Sequence, residues 1–221
     1  MELSRKTEGQ TLANRRSISR LLSLMLRHRP DEFGLNIDAY GHVPLKEVIQ
    51  AVLERYDDVT EDDIVTLVND PEQHRFEITE NGIRALYGHS FYVEMDGEPM
   101  QPPETLYMGS TAAAARRMKT QGIVPGDRFY VHLSLTREAA AERSREVRGP
   151  VVVEVRAKEA AEAGVAFYAR GSVVLTPEVP AAYVGAIQGA DTTGSQAAAS
   201  RIQAPEGGHT YGRKLRKSTR R

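Results

Sequence analysis

Four separated pieces of this chain stand out, "LRHRP" at 26–30, "RALYGHS" at 84–90, "LYMGS" at 106–110 and "RFYVHLS" at 128–134, and all but the third carry both arginine and histidine. An arginine fork is always charged and holds a phosphate or carboxylate through two parallel bonds, while a histidine beside it can donate to the anion or move a proton. The chain has no cysteine, so thiolate nucleophiles, thiolate metal sites and disulfides are excluded, and any chemistry falls to His, Arg, Ser, Tyr and carboxylates. No glycine-rich dinucleotide loop follows the first strand, no Walker lysine loop occurs, and the histidines lack the spacing of a zinc hydrolase. A local phosphate site is the chemistry these residue types suit.

The elements that must position them follow from periodicity. Ile18, Leu21, Leu22 and Met25 recur at helical spacing and predict an amphipathic helix from about Ser17 to Arg27, after a loose polar stretch over 1–16. Pro30 ends the helix, so Arg27, His28 and Arg29 stand at its last turn. Cations there also suit the negative end of the helix dipole, a purely structural use of the same residues. A second helix is expected over 46–54, and a capping box at Thr60 and Asp63 opens a third. Alternating residues on either side of Asn81-Gly82 predict a hairpin, with Arg84 directed away from the face that carries Ile83 and Ala85. Helices followed by a hairpin are the layout of a winged helix, assigned to 17–93.

A Pro-rich, acidic stretch over 94–104 reads as a linker. Beyond it, over 105–187, the chain predicts a short strand at Leu106–Met108, a tight turn at Gly109-Ser110, and an Ala-rich helix stopped by Gly122. The strand of "RFYVHLSL", a helix in "TREAAAERSREV", the strand "PVVVEVRA" and a bent strand or pair marked by Gly171 complete an α+β half. From 188 the composition becomes polar and small, and six basic residues after Tyr211 form a tail expected to be disordered and attractive to phosphate backbone.

With 221 residues and 40% hydrophobic content, the chain can build two compact cores. It has neither a long apolar run nor a signal-peptide pattern, and a cytoplasmic monomer without membrane contact is expected. The net charge of −1 argues against binding nucleic acid by sheer basicity.

Together, and in this order, the four pieces resemble the RNA 2'-phosphotransferase family, the NAD-dependent tRNA-splicing enzymes that remove an internal 2'-phosphate. The similarity covers about Ser17 to Ile187. It implies a winged-helix RNA lobe followed by an ADP-ribosyltransferase-like lobe, with NAD as co-substrate, no metal, and RNA bearing a 2'-phosphate as partner. Carried over by motif, the family's Arg-His pair falls on Arg27 and His28 and its second arginine on Arg84. The third lies between the "HLS" strand and the next strand, with Arg145 the first choice and Arg148 the second. His89 and Ser90 become further phosphate or ribose donors. Gly109, Ser110, His132 and Ser134 fall on the NAD side, Gly109 offering bare backbone to the nicotinamide amide.

The family scheme implies that the RNA phosphate displaces nicotinamide to give an ADP-ribosylated phosphate. A ribose hydroxyl then attacks phosphorus, releasing 2'-hydroxyl RNA and ADP-ribose 1'',2''-cyclic phosphate. Two family histidines are replaced here, by Met108 and Tyr130. Those changes keep two other readings in view: a diverged ADP-ribosyltransferase acting on another acceptor, and a non-catalytic winged-helix binder. The acidic start of the third helix, Glu61 to Asp63, weighs against groove-reading of DNA.

Overall fold

The computed structural model describes residues 2–189, with side chains from residue 15 onward. The basic tail expected after 188 therefore lies almost wholly outside the described residues. Helix α1 (Glu2–Arg27) begins well before Ser17, so the stretch read as loose is helical. Residues 2–16 contain no proline and are mostly good helix formers, so nothing in them stops the helix earlier. Its apolar stripe behaves as predicted: Ile18, Leu22, Met25 and Leu26 are buried in the first of two hydrophobic clusters. Each such side chain stabilises the fold by about 1.5–3 kcal/mol relative to an exposed one.

After a 3-10 turn at Pro30–Phe33 come β1 (His42–Val43), α2 (Leu45–Leu53) and α3 (Glu61–Val68), then β2 (Phe76–Thr79) and β3 (Gly82–Ala85). The capping box on α3 is formed as its sequence predicts, Thr60 and Asp63 each bonding the other's backbone N–H. The three strands make an antiparallel sheet in the order β1-β3-β2. Thr79 pairs with Gly82, which places the hairpin turn on Glu80-Asn81, one residue before the expected Asn81-Gly82. Ile83 and Ala85 are buried and Arg84 faces the other way, as the alternation requires.

The C-terminal half runs β4 (Thr105–Thr111), α4 (Ala112–Gln121), β5 (Val131–Leu133), α5 (Arg137–Arg143), β6 (Pro150–Arg156), α6 (Ala157–Glu162), β7 (Tyr168–Arg170), β8 (Val173–Thr176) and β9 (Val184–Gly189). Two antiparallel sheets, β4-β6-β9 and β5-β8-β7, enclose the second cluster, which includes Leu106, Leu133, Val153, Phe167 and Val174. The expected turn at Gly109-Ser110 is absent. Strand β4 continues through both residues, Gly109 opposite Val152 and Ser110 opposite Val151. The glycine serves packing instead: a Cβ there would collide with the Ala140 carbonyl of α5 and with Ser144.

The stretch read as a linker is tied down at several points. Glu94 N–H donates to the Ala39 carbonyl (2.8 Å), Met100 N–H to that of Phe167 (2.7 Å), and the Glu104 carbonyl accepts from Ala157 N–H (3.0 Å). Its prolines and acids set an extended path, and the backbone groups they leave free find partners in both halves.

Candidate functional site

Arg27 is the last residue of α1, and its guanidinium is wedged between two rings, 5.3 Å from the centroid of Phe76 and 4.8 Å from that of Tyr87. One Nη donates to the Arg75 carbonyl at 3.3 Å, but the buried Nε has no partner. No carboxylate pairs with Arg27 among the described residues. Burial, followed by the neighbouring charges of Arg75 and Arg128, lowers its pKa to about 10, which leaves it charged at neutral pH but short of negative charge.

Around Arg27 the cations accumulate. His28 is lowered by partial burial and then by Arg128, Arg27 and Arg29. Arg128 donates to the Gly88 carbonyl, next to the Arg27 side chain. Arg143 also stands by Tyr87, 5.8 Å from the ring centroid and bonded to Ser172 Oγ at 3.0 Å. Burial alone would raise the Tyr87 phenol, yet its contact with Ser172 and the charges of Arg27 and Arg143 outweigh that and lower it. His132 packs edge-on to Tyr87 with centroids 6.2 Å apart, and its Nδ1 donates to the Tyr130 carbonyl at 2.9 Å. Burial lowers His132 to about 4, and Arg128, Arg143 and Arg27 add to the effect. An array of cations that discourage each other's protonation is arranged to receive an anion.

Arg84 is held differently. Its Nε donates to Glu77 at 2.5 Å and one Nη to Asp96 at 2.9 Å and to the Tyr40 carbonyl at 3.4 Å. Burial opposes its charge, but the two carboxylates win and raise its pKa. It nonetheless lies near enough to His89 to help hold that ring neutral. Burial, then Arg27, His28, Arg128 and Arg84, bring His89 down to about 3. Its buried Nε2 has no hydrogen-bond partner, and its ring rests against Phe91 with centroids 5.4 Å apart.

The structure thus brings together Arg27, His28, His89 and His132, with Arg84 at the edge. It does not bring Arg145 in. That side chain is 55% exposed and pairs with Glu142 across one turn at 2.9 Å, because it follows the end of α5 and points to solvent. Arg143, also exposed, is the one whose side chain reaches Ser172 and the Tyr87 ring. Thr136 caps α5, Ala140 is its buried residue, and Arg143 lies three further on, on the same face. That spacing was readable in "TREAAAERS" and was the signal to follow. Tyr87 and Arg128, also missed, lie inside the quoted motifs "RALYGHS" and "RFYVHLS", whereas Ser172 carries no local signature; only the meeting of distant segments makes the three neighbours.

The remaining expected site residues have structural uses here. Ser90 gives both its N–H (2.8 Å) and its hydroxyl (3.1 Å) to the Arg27 carbonyl, closing the end of α1. Ser134 is buried and exchanges backbone bonds with Tyr107, joining β5 to β4. Gly109 has its bare face filled by α5, so it cannot offer backbone to a ligand there. Ser110 stays half-buried on β4. Of the two replaced histidines, Met108 packs against the second hydrophobic cluster, and the Tyr130 hydroxyl donates to the Val93 carbonyl at 3.2 Å.

Residues 13–178 match the profile of the RNA 2'-phosphotransferase, Tpt1 / KptA family. The chain belongs to the RNA 2'-phosphotransferase family. It is 37% identical to "Probable RNA 2'-phosphotransferase 1" of Archaeoglobus fulgidus over 186 residues, covering 80% of this chain and 84% of that protein. With "Probable RNA 2'-phosphotransferase" of Acetivibrio thermocellus it shares 34% identity over 172 residues, covering 76% and 94% of the two chains. A relative of the same name from Pyrococcus horikoshii is 40% identical over 136 residues, 62% of this chain and 77% of that one. All four motifs quoted above lie inside the matched range, and so do Arg128, Arg143 and Ser172.

Proposed function

We propose that this chain removes an internal 2'-phosphate from RNA, transferring it to NAD, and that the cation array around Tyr87 is where the phosphate sits. The observation that carries this reading is the charge imbalance. Arg27, His28, Arg128 and Arg143 converge with no carboxylate paired to any of them among the described residues. Membership of the family and its relatives' names supply the substrate class.

In this reading the first half, with its helix-strand-helix-helix-hairpin order, is a winged-helix lobe for RNA, and the second is an ADP-ribosyltransferase-like lobe. Arg27 and Arg143, both beside Tyr87, grip the phosphate. Each charge-assisted bond contributes roughly 1.5–3 kcal/mol, and more where negative charge develops on phosphorus. No strong base is required to make the phosphate a nucleophile, because it is already an anion. His28, at the rim, its pKa lowered by partial burial and then by Arg128, Arg27 and Arg29, is placed to donate to a phosphate oxygen or to accept a proton from a ribose hydroxyl.

In this reading NAD approaches the side of the site bordered by His89, Phe91, Arg128, Tyr130 and His132. Aromatic walls suit a flat ring, the unpartnered Nε2 of His89 suits an amide or hydroxyl donor, and Arg128 suits a pyrophosphate. NAD would supply the electrophilic ribosyl carbon. This chain's part is to orient it with neutral His89 and His132, and to leave Gly109 to packing.

The test is incubation with NAD and a short RNA carrying one internal 2'-phosphate, with analysis of both RNA and nucleotide. Free 2'-hydroxyl RNA and ADP-ribose cyclic phosphate are expected. Phosphorylated RNA alongside ADP-ribose attached elsewhere would establish a diverged transferase instead.

A further inference from the structure

The two halves meet where Arg128 and Tyr130 bond the carbonyls of Gly88 and Val93, and again at the turn joining β7 to β8. Three successive residues make the second contact. Arg170 reaches Asp96, donating from one Nη to both its carboxylate (2.6 Å) and its carbonyl (2.6 Å). Gly171, at φ +57°, presses on the His74 carbonyl so closely that any Cβ would collide with it. Ser172 meets Arg143 and Tyr87.

The Asp96 carboxylate is shared. Its Oδ1 takes Arg170 of the C-terminal half, and its Oδ2 takes Arg84 of the wing strand at 2.9 Å. Both arginines are nearly covered, at 11% and 15% side-chain exposure, so their positions are set by what they bond. Arg84 has a second carboxylate in Glu77, which belongs to its own hairpin and fixes it only relative to that hairpin. Among the described residues, Asp96 alone refers Arg84 to the other half of the molecule.

We infer that Asp96 is a positioning residue for the reaction: pinned by Arg170, it aims Arg84 at the phosphate site only when the two halves are docked at the β7–β8 turn. The inference rests on the proposed phosphate-transfer function. It assigns work to a segment that composition marks as a mere linker, and to an arginine, Arg170, that lies outside every motif quoted above.

The experiment compares Asp96→Ala, Asp96→Asn and Arg170→Ala with the unaltered chain, in the full-length protein. Turnover with NAD and 2'-phosphorylated RNA is measured alongside binding of the same RNA by fluorescence anisotropy. Displacing a gripping group by an ångström costs up to about a hundredfold, so Asp96→Ala is expected to lower kcat roughly ten- to a hundredfold while KM for NAD stays unchanged. Asp96→Asn keeps the shape and one acceptor and is expected to lose less, which separates misaiming from misfolding. In an Arg84→Lys background the further loss from Asp96→Ala should shrink to less than about twofold, because the two residues act as one unit.

Undiminished turnover in Asp96→Ala overturns the inference, as does an Asp96 effect that multiplies unchanged with Arg84→Lys. If the unaltered chain binds and dephosphorylates the RNA while Asp96→Ala does so equally well, only the positioning role falls. If the unaltered chain neither binds nor dephosphorylates it, the proposed function falls and this inference with it.

Discussion

Arg27 and Arg84 both lie near His89, and their surroundings are opposite. Arg27 is wedged between aromatic rings with an unpartnered Nε, and burial lowers its pKa to about 10. Arg84 is clasped by Glu77 and Asp96, and its pKa is raised. The first arrangement leaves electrostatic free energy to be gained when an anion arrives, since an uncompensated buried cation is costly. The second has already found its partners and gains orientation from them. One arginine is thus set to bind, the other to be aimed.

The comparison breaks first at Arg27. Arg27→Met should lower phosphate removal by about a hundred- to a thousandfold, the cost of deleting a group that stabilises developing charge. It should not lower the melting temperature, because the change deletes a buried charge that has no counter-ion and keeps an apolar stem between Phe76 and Tyr87. Calorimetry beside a turnover assay checks both halves, and a large stability loss would mean that Arg27 is a structural residue.

Arg143 and Arg145 repeat the contrast two residues apart. Arg143→Ala is expected to reduce turnover about a hundredfold, whereas Arg145→Ala, which removes only an exposed pair with Glu142, should stay within about twofold. Equal effects would remove Arg143 from the site.

The pH dependence of stability reports the cation-rich side. His89 and His132 have folded pKa values near 3 and 4, below the ordinary 6.5. Both are neutral in either state above pH 6.5. As pH falls below that value, the unfolded chain takes up protons that the folded chain refuses, so stability drops until the folded groups titrate. The loss is about 1.4 kcal/mol per pH unit per histidine in that window. Melting temperatures from pH 7 to 5 should fall accordingly. Pyrophosphate should recover part of the loss by giving the cations a counter-charge. A flat profile would contradict the burial of both rings.

The smallest effect belongs to the clasp as a stabilising contact. Arg84→Ala leaves Glu77 without its cation, while Asp96 keeps Arg170. Because both carboxylates are about one third exposed, the cost is reduced to about 1–2 kcal/mol, measurable by denaturant titration. A loss well above that would show that the clasp holds the halves together rather than orienting one side chain.

Local rules carried the chain a long way. The stripe on α1, the capping box at Thr60, the hairpin and the helix stop at Gly122 are all formed, since each depends on neighbours within a few residues. The motifs likewise pointed to Arg27, His28, Arg84 and His132, which the structure brings near one another. Where a residue's use depends on a distant segment, local rules misread it. Gly109 looked like a turn and a ligand approach but is a seat for α5, and Arg145 looked like the third arginine although the end of α5 turns it outward.

By itself, then, the sequence determined the kinds of groups available, the helices and strands that carry them, and the absence of thiol chemistry, because composition and periodicity act along the chain. Only the tertiary structure decided which cations are left without a counter-charge and which are clasped. Burial and the company of charges from segments tens of residues apart decide that, and those distances exist only once both halves are packed. Asp96 between Arg84 and Arg170 is the clearest instance: three residues from a strand, a connecting stretch and another strand, related by no spacing and joined by one carboxylate.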